Sequence, residues 1–227
     1  MVSTEVPHSR PAPDLAKILG QRGLITLIEL MCEAYFDLLG SDFVKHNTPE
    51  NDITEEWYVK IILKYRKIPD LAVVPIHQKE DPTTGKKGKL SPTIDFCFRD
   101  QFFSQSYFGA ECKVMDEGNS RHITEYVNEN GIGRFLDGRY ASNCSAGAMI
   151  GYVRVGNPVT VANGVASRIL TLPGRPKMLK AEPVKAFQDI YDSLHERFRG
   201  ISPFKIFHLF FAFSTENSVE EATILSA

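Results

Sequence analysis

The stretch TIDFCFRDQFFSQSYFGAECKVM, Thr93 to Met115, decides the fold. Its outer runs, TIDFCFRD and SYFGAECKVM, are rich in aromatic and β-branched residues, and the QFFSQ between them is a short connection. The segment predicts two consecutive strands paired as an antiparallel hairpin or meander. Side chains alternate along a strand, so Glu111 and Lys113 share one face and Cys112 points to the other. Fifteen residues separate Asp95 from Glu111, the length of one strand, a turn and part of the next. Antiparallel pairing can therefore bring Asp95 beside Glu111 and Lys113. Gly109 and Ala110 precede this group, and their small side chains would let other backbone or a phosphate come close.

Upstream, LITLIELMCEAYFDLLG places Leu24, Ile25, Ile28, Met31, Cys32, Tyr35, Leu38 and Leu39 at helical spacing and ends at Gly40. A shorter helix, PDLAKILGQRG, precedes it. After the polar SDFVKHNTPEND, the run TEEWYVKIILKYRK predicts a helix with Thr54 as its N-cap. IPDLAVVPIHQ is β-rich but broken by Pro69 and Pro75, which predicts an edge strand. KEDPTTGKKGKLSP is a lysine-bearing loop.

Beyond the hairpin, NSRHITEYVNENGIGRFLDGRYA predicts helix at both ends with a break at Gly131 and Gly133. GAMIGYVRVG and PFKIFHLFFAFS predict strands, and NPVTVANGVASRIL suits either helix or strand. EPVKAFQDIYDSLHERF predicts a helix with Pro183 near its first turn. The expected architecture is one α/β domain over residues 13–215, with a central mixed sheet flanked by helices. Residues 1–12 are expected to form a flexible proline-rich lead, and 216–227 a tail too short to fold alone.

The chain of 227 residues is 43% hydrophobic and 24% charged, which suits a globular protein with a sizeable core. A net charge of -2 gives no global attraction to nucleic acid, so any such affinity must come from a local patch. Cys32, Cys97, Cys112 and Cys144 lack metal-type spacing and predict reduced, mostly buried thiols of a cytoplasmic protein. The N-terminus lacks the apolar region of a signal peptide. The longest apolar run, IFHLFFAF, has eight residues, against the roughly 20 a membrane helix needs.

Two carboxylates converging at a strand end make a hard oxygen site, and Mg²⁺ needs only one or two of them plus water and phosphate oxygens. The Cys112 backbone carbonyl lies between Glu111 and Lys113 and could be a further ligand. A lysine beside such a cation can orient or deprotonate a water, or neutralise charge developing on a phosphate.

The pattern of Asp95 on one strand and Glu111-Cys112-Lys113 on the next resembles the core of the PD-(D/E)xK nuclease superfamily, the restriction-endonuclease-like fold. The resemblance covers roughly residues 24–156. It implies that Asp95 and Glu111 are metal ligands and Lys113 the catalytic lysine. Family members often carry an acidic residue on the helix before the first strand, a role Glu33 or Glu29 would fill. The match departs at the proline: Pro92 stands three residues before Asp95, and the literal Pro69-Asp70 is forty residues short of Glu111. The helical region after the motif commonly supplies polar groups, here Tyr126, Asn130, Arg134 and Tyr140. Arg134 and Arg139 are candidates for phosphate contacts. Lys86, Lys87 and Lys89 could clamp a nucleic-acid backbone. His122, His195 and His208 are expected to be structural.

The resemblance implies a Mg²⁺- or Mn²⁺-dependent phosphodiesterase acting on DNA, with RNA, strandedness and endo or exo action left open. The alternative is a catalytically silent module of the same fold that binds nucleic acid or a partner protein. No DNA-reading module or nucleotide-binding motif is evident. By analogy, an effector under an ATPase or helicase partner in defence against foreign DNA is expected. A homo-oligomer is compatible with this expectation.

Overall fold

The computed structural model describes residues 12–68, 71–80, 93–103 and 105–213; nearly all of the expected lead and tail lie outside the described residues. The Thr93–Met115 segment forms its hairpin: β2 (Thr93–Asp100) pairs antiparallel with β3 (Tyr107–Asp116). On the other side of β2 lies β1 (Val73–Glu80), the expected edge strand. β3 runs parallel to β4 (Ala146–Val155), and β4 parallel to β7 (Phe204–Ala212). β6 (Ile190–His195) and β5 (Met178–Lys180) complete a seven-stranded mixed sheet in the order β1-β2-β3-β4-β7-β6-β5. The chain is thus a single α/β domain with helices on both faces of that sheet.

Strand alternation sorts the core into two layers. On one face, the Tyr35 ring of α1 (Leu15–Leu39) stacks on Phe211 with centroids 4.4 Å apart. Trp57 of α2 (Glu50–Tyr65) meets Phe211 and Tyr152 edge-on at 5.5 and 6.3 Å. On the opposite face, Tyr126 of α3 (Ser120–Val127) stacks on Phe210 and bonds His208. α5 (Pro158–Ile169) packs beside α3, and the short α4 (Ile132–Leu136) follows it. Phe96, Phe98, Phe108, Phe135 and Phe210 are all fully buried. Each such ring contributes about 1.5–3 kcal/mol, which makes the sheet centre a rigid base for the groups on its edge.

Local chemistry explains most boundaries. Asn119 and Asn157 cap α3 and α5 by accepting from the amides of Arg121 and Val159 at 3.1 and 2.8 Å. Asn157 with Pro158 at the first helical position resolves the ambiguous segment as a helix. The expected pair of N-terminal helices becomes one run with a kink at Gly20, whose φ of 63° suits glycine. The break at Gly131 separates α3 from α4 as expected.

Two expectations are corrected. Thr54 is not an N-cap: α2 begins four residues earlier, at Glu50, after Pro49. Residues 182–198 are not a helix. Val184, Phe187, Ile190, Tyr191 and Leu194 have helical spacing, but Ile190–His195 pairs antiparallel with β7. There Tyr191, Ser193 and His195 point inward while Leu194 is exposed. Pairing along the full length of β6 outweighs the weak helical pattern. Within it, the Ser193 hydroxyl lies 2.7 Å from Nε2 of both His195 and His208, and burial pulls His195 down to about 4. Both histidines are buried in this bonded group. The four cysteines are buried thiols, and among the described residues no helix is long and apolar enough to cross a membrane.

Candidate active site at the fork between β2 and β3

The β2–β3 ladder stops at Phe96 opposite Ala110. Beyond that point Thr93 and Ile94 stay paired with β1, while Glu111 to Met115 stay paired with β4. The two strands diverge, and the edge of β3 loses its partner. Its amides still need acceptors. Cys112 N–H donates to Asp95 Oδ2 at 2.8 Å, and Val114 N–H donates to Glu50 Oε2 at 2.8 Å. Two carboxylates thus replace the missing strand. The Cys112 carbonyl, on the same edge, accepts from Lys113 Nζ at 2.7 Å.

Glu111 is 1% exposed. Its Oε1 accepts from Lys113 Nζ at 2.8 Å and from Arg134 Nη1 at 2.9 Å. Its Oε2 is buried and has no partner among the described residues. Burial first, and then the Asp95 charge, push the Glu111 carboxyl up to about 8, against the opposing pull of Lys113 and Arg134. Burial also raises Glu50, with Lys113 opposing it. For Lys113, burial pulls downward, but Glu111, Glu50 and Asp95 together outweigh it and hold the ammonium protonated well above its ordinary range. Among the described residues three carboxylates therefore face two cations, Lys113 and Arg134, and full ionisation of these groups leaves an excess negative charge.

The backbone behind the fork is stapled. Cys112 Sγ, on the opposite face, accepts from the Tyr152 hydroxyl at 3.2 Å, which lies 3.2 Å from Thr54 Oγ1. Thr54 is one turn beyond Glu50 and also donates to the Glu50 carbonyl at 2.9 Å. This fixes the start of α2 against β3 and aims Glu50 at Lys113, with Oε1 3.6 Å from Nζ.

Among the described residues, no three His, Cys, Asp or Glu side chains form a ready-made metal cage. The oxygens at the fork nonetheless suit a hard cation. Glu111 Oε1 and the Cys112 carbonyl already converge on one positive centre, the Lys113 ammonium. Glu111 Oε2, beside them, is buried and without a partner among the described residues. Asp95, Glu111 and the Cys112 carbonyl could hold Mg²⁺ or Mn²⁺, with water and phosphate oxygens filling the shell.

The other expected residues divide. Arg134 and Tyr140 belong to the cluster: Arg134 Nη1 also donates to the Tyr140 hydroxyl at 2.5 Å. Arg134 thus bonds a carboxylate rather than presenting a bare guanidinium. Arg139 is paired with Asp137 at 2.7 Å and also bonds the Glu129 carbonyl. Tyr126 lines no cleft, because it is fully buried against His208 and the Met149 carbonyl. Asn130 sits exposed on the turn between α3 and α4. Glu33 pairs with Lys185, and Glu29 lies one helical turn from it. Lys86, Lys87, Lys89 and the Pro69-Asp70 pair lie outside the described residues. Gly109 is small for packing: a Cβ there would meet Ile94 Cδ1 at 2.2 Å.

The residue missed by sequence is Glu50. Its signal was an acid directly after Pro49 with Thr54 at i+4, the start of a helix rather than of a loop. No family model, curated protein or solved structure matches the chain.

Proposed function

We propose that the protein is a divalent-metal-dependent nuclease acting on DNA, with a restriction-endonuclease-like core. The observation that carries this is the fork itself. Asp95 and Glu50 satisfy adjacent edge amides of β3, and Glu111 and the Cys112 carbonyl converge there on Lys113. A carboxylate left with an orphaned buried oxygen is costly to a fold, and such groups concentrate where charge chemistry is done.

A cation bound at the fork would supply water activation and charge neutralisation at the phosphate. The residues of the chain would do the rest. Asp95 and Glu111 bind. Lys113, kept protonated by three carboxylates, orients the attacking water by hydrogen bonding and offsets charge on the phosphoryl oxygens. Glu50 holds the Lys113 ammonium in place.

One observation favours a silent binding module instead: Glu111 Oε1 is already shared by Lys113 and Arg134. The two are separated by incubating the protein with plasmid, linear duplex, single-stranded DNA and RNA in Mg²⁺, Mn²⁺ or EDTA. The nuclease assignment predicts metal-dependent products from DNA. A silent module binds nucleic acid and yields none.

A further inference from the structure

Asp95 and Glu111 stand on separate prongs of the fork, and their charges oppose each other. Beyond Phe96 the ladder no longer ties β2 to β3, and Asp95 reaches β3 only through its side chain, at the Cys112 amide. A second connected path, anchored on the β2 backbone, crosses the mouth of the fork. Glu111 Oε1 accepts from Arg134 Nη1 at 2.9 Å, and the same nitrogen donates to the Tyr140 hydroxyl at 2.5 Å. That hydroxyl donates to the Thr93 carbonyl at 2.5 Å, two residues before Asp95. Tyr140 is well anchored for this. Its amide donates to the Arg134 carbonyl at 2.9 Å, and its carbonyl accepts from Arg197 Nη2 at 2.8 Å. Arg197 Nη1 also binds the Ala141 and Cys144 carbonyls, both at 3.1 Å, and Ala141 N–H donates to the Tyr107 hydroxyl at 2.8 Å. The Tyr140 ring is fully buried, edge-on to Phe135.

We propose that Arg134 and Tyr140 form a strap across the fork that fixes Asp95 relative to Glu111, so that both are positioning residues of the metal site. The purpose of the strap rests on the nuclease assignment; its geometry does not. Arg134 also partly neutralises Glu111, whereas Tyr140 brings no charge. Any effect of deleting the Tyr140 hydroxyl on the carboxylates therefore passes through geometry.

The test uses the full chain and Tyr140→Phe, which keeps the buried ring. Amide hydrogen exchange in EDTA reads the strap directly. Cys112 N–H is held by Asp95 and Val114 N–H by Glu50, so only the first depends on the β2 prong. Tyr140→Phe is expected to speed exchange at Cys112 by about three- to tenfold, the equivalent of one or two hydrogen bonds, and to leave Val114 unchanged. Mn²⁺ affinity by calorimetry falls by about tenfold, and cleavage recovers at saturating Mn²⁺. Arg134→Lys keeps the charge on a shorter side chain that lacks the planar fork, and should give the same exchange pattern. Unchanged exchange at Cys112 in both variants overturns the strap, as does equal acceleration at Cys112 and Val114. A wild type that binds no Mn²⁺ and cuts nothing, while Cys112 still responds to Tyr140→Phe, overturns the nuclease assignment and leaves the strap standing.

Discussion

Glu50 reaches Lys113 from the first turn of α2, sixty-four residues before the amide it caps on β3: Oε2 accepts from Val114 N–H while Oε1 lies 3.6 Å from Lys113 Nζ. One carboxylate thus stabilises the open strand edge and orients the ammonium beside it. Glu50→Gln should keep the amide bond and lose the charge. Single-turnover cleavage is expected to fall about 10–100-fold with little change in melting temperature. Glu33→Gln, on a carboxylate engaged with Lys185, should cut at the wild-type rate. Equal rates for Glu50→Gln and wild type would remove Glu50 from the site.

Glu111 makes stability depend on pH. Its carboxyl moves from an ordinary 4.5 to about 8 on folding. Between those values the folded protein binds a proton that the unfolded chain does not, so stability falls as pH rises. His195 and His208, both pulled down by burial, work in the opposite sense below pH 6.5. Both histidines are silent at pH 6.5–8, where Glu111 still titrates. In EDTA, stability there should fall by about 1 kcal/mol per pH unit. Glu111→Gln should flatten the slope, and so should Mg²⁺, which favours the ionised carboxylate. Denaturant melts at several pH values check this; a wild-type profile as flat as that of Glu111→Gln refutes it.

Packing beneath the fork should matter as much as charge on it. A Cβ on Gly147 would lie 2.9 Å from Phe135 Cε1, 3.0 Å from Phe204 Cζ and 3.1 Å from the Gly109 carbonyl oxygen. Phe135 and Phe204 are stacked and fully buried, so neither ring can retreat. Gly147→Ala should cost about 1–3 kcal/mol. Gly109 is two residues before Glu111 on the same face, so cleavage should drop as well. A midpoint shift in urea with an unchanged slope would identify the loss as one of stability.

The sequence made the hairpin legible because its signal is local: two period-2 runs joined by a short turn place Asp95, Glu111 and Lys113 together without any distant contact. Glu50 was hidden for the opposite reason. Its partner is far along the chain, and the start of α2 was set four residues too late by taking Thr54 for a cap. Thr54 instead spends its hydroxyl on the Glu50 carbonyl and Tyr152. β6 was misread because its apolar spacing fits a helix, and only pairing with β7 decides otherwise. Sequence makes Arg134 a candidate for phosphate and does not reveal that a buried carboxylate lies within its reach.

The proposed nuclease requires that the fork cut DNA through a divalent cation. Its most direct test is cleavage of plasmid DNA by wild type, Asp95→Ala and Lys113→Ala in Mg²⁺, Mn²⁺ and EDTA. Products are expected from wild type in either metal and none in EDTA, with a loss of at least about 100-fold in both variants. Equal cleavage by all three proteins, or cleavage by wild type that survives EDTA, would contradict it.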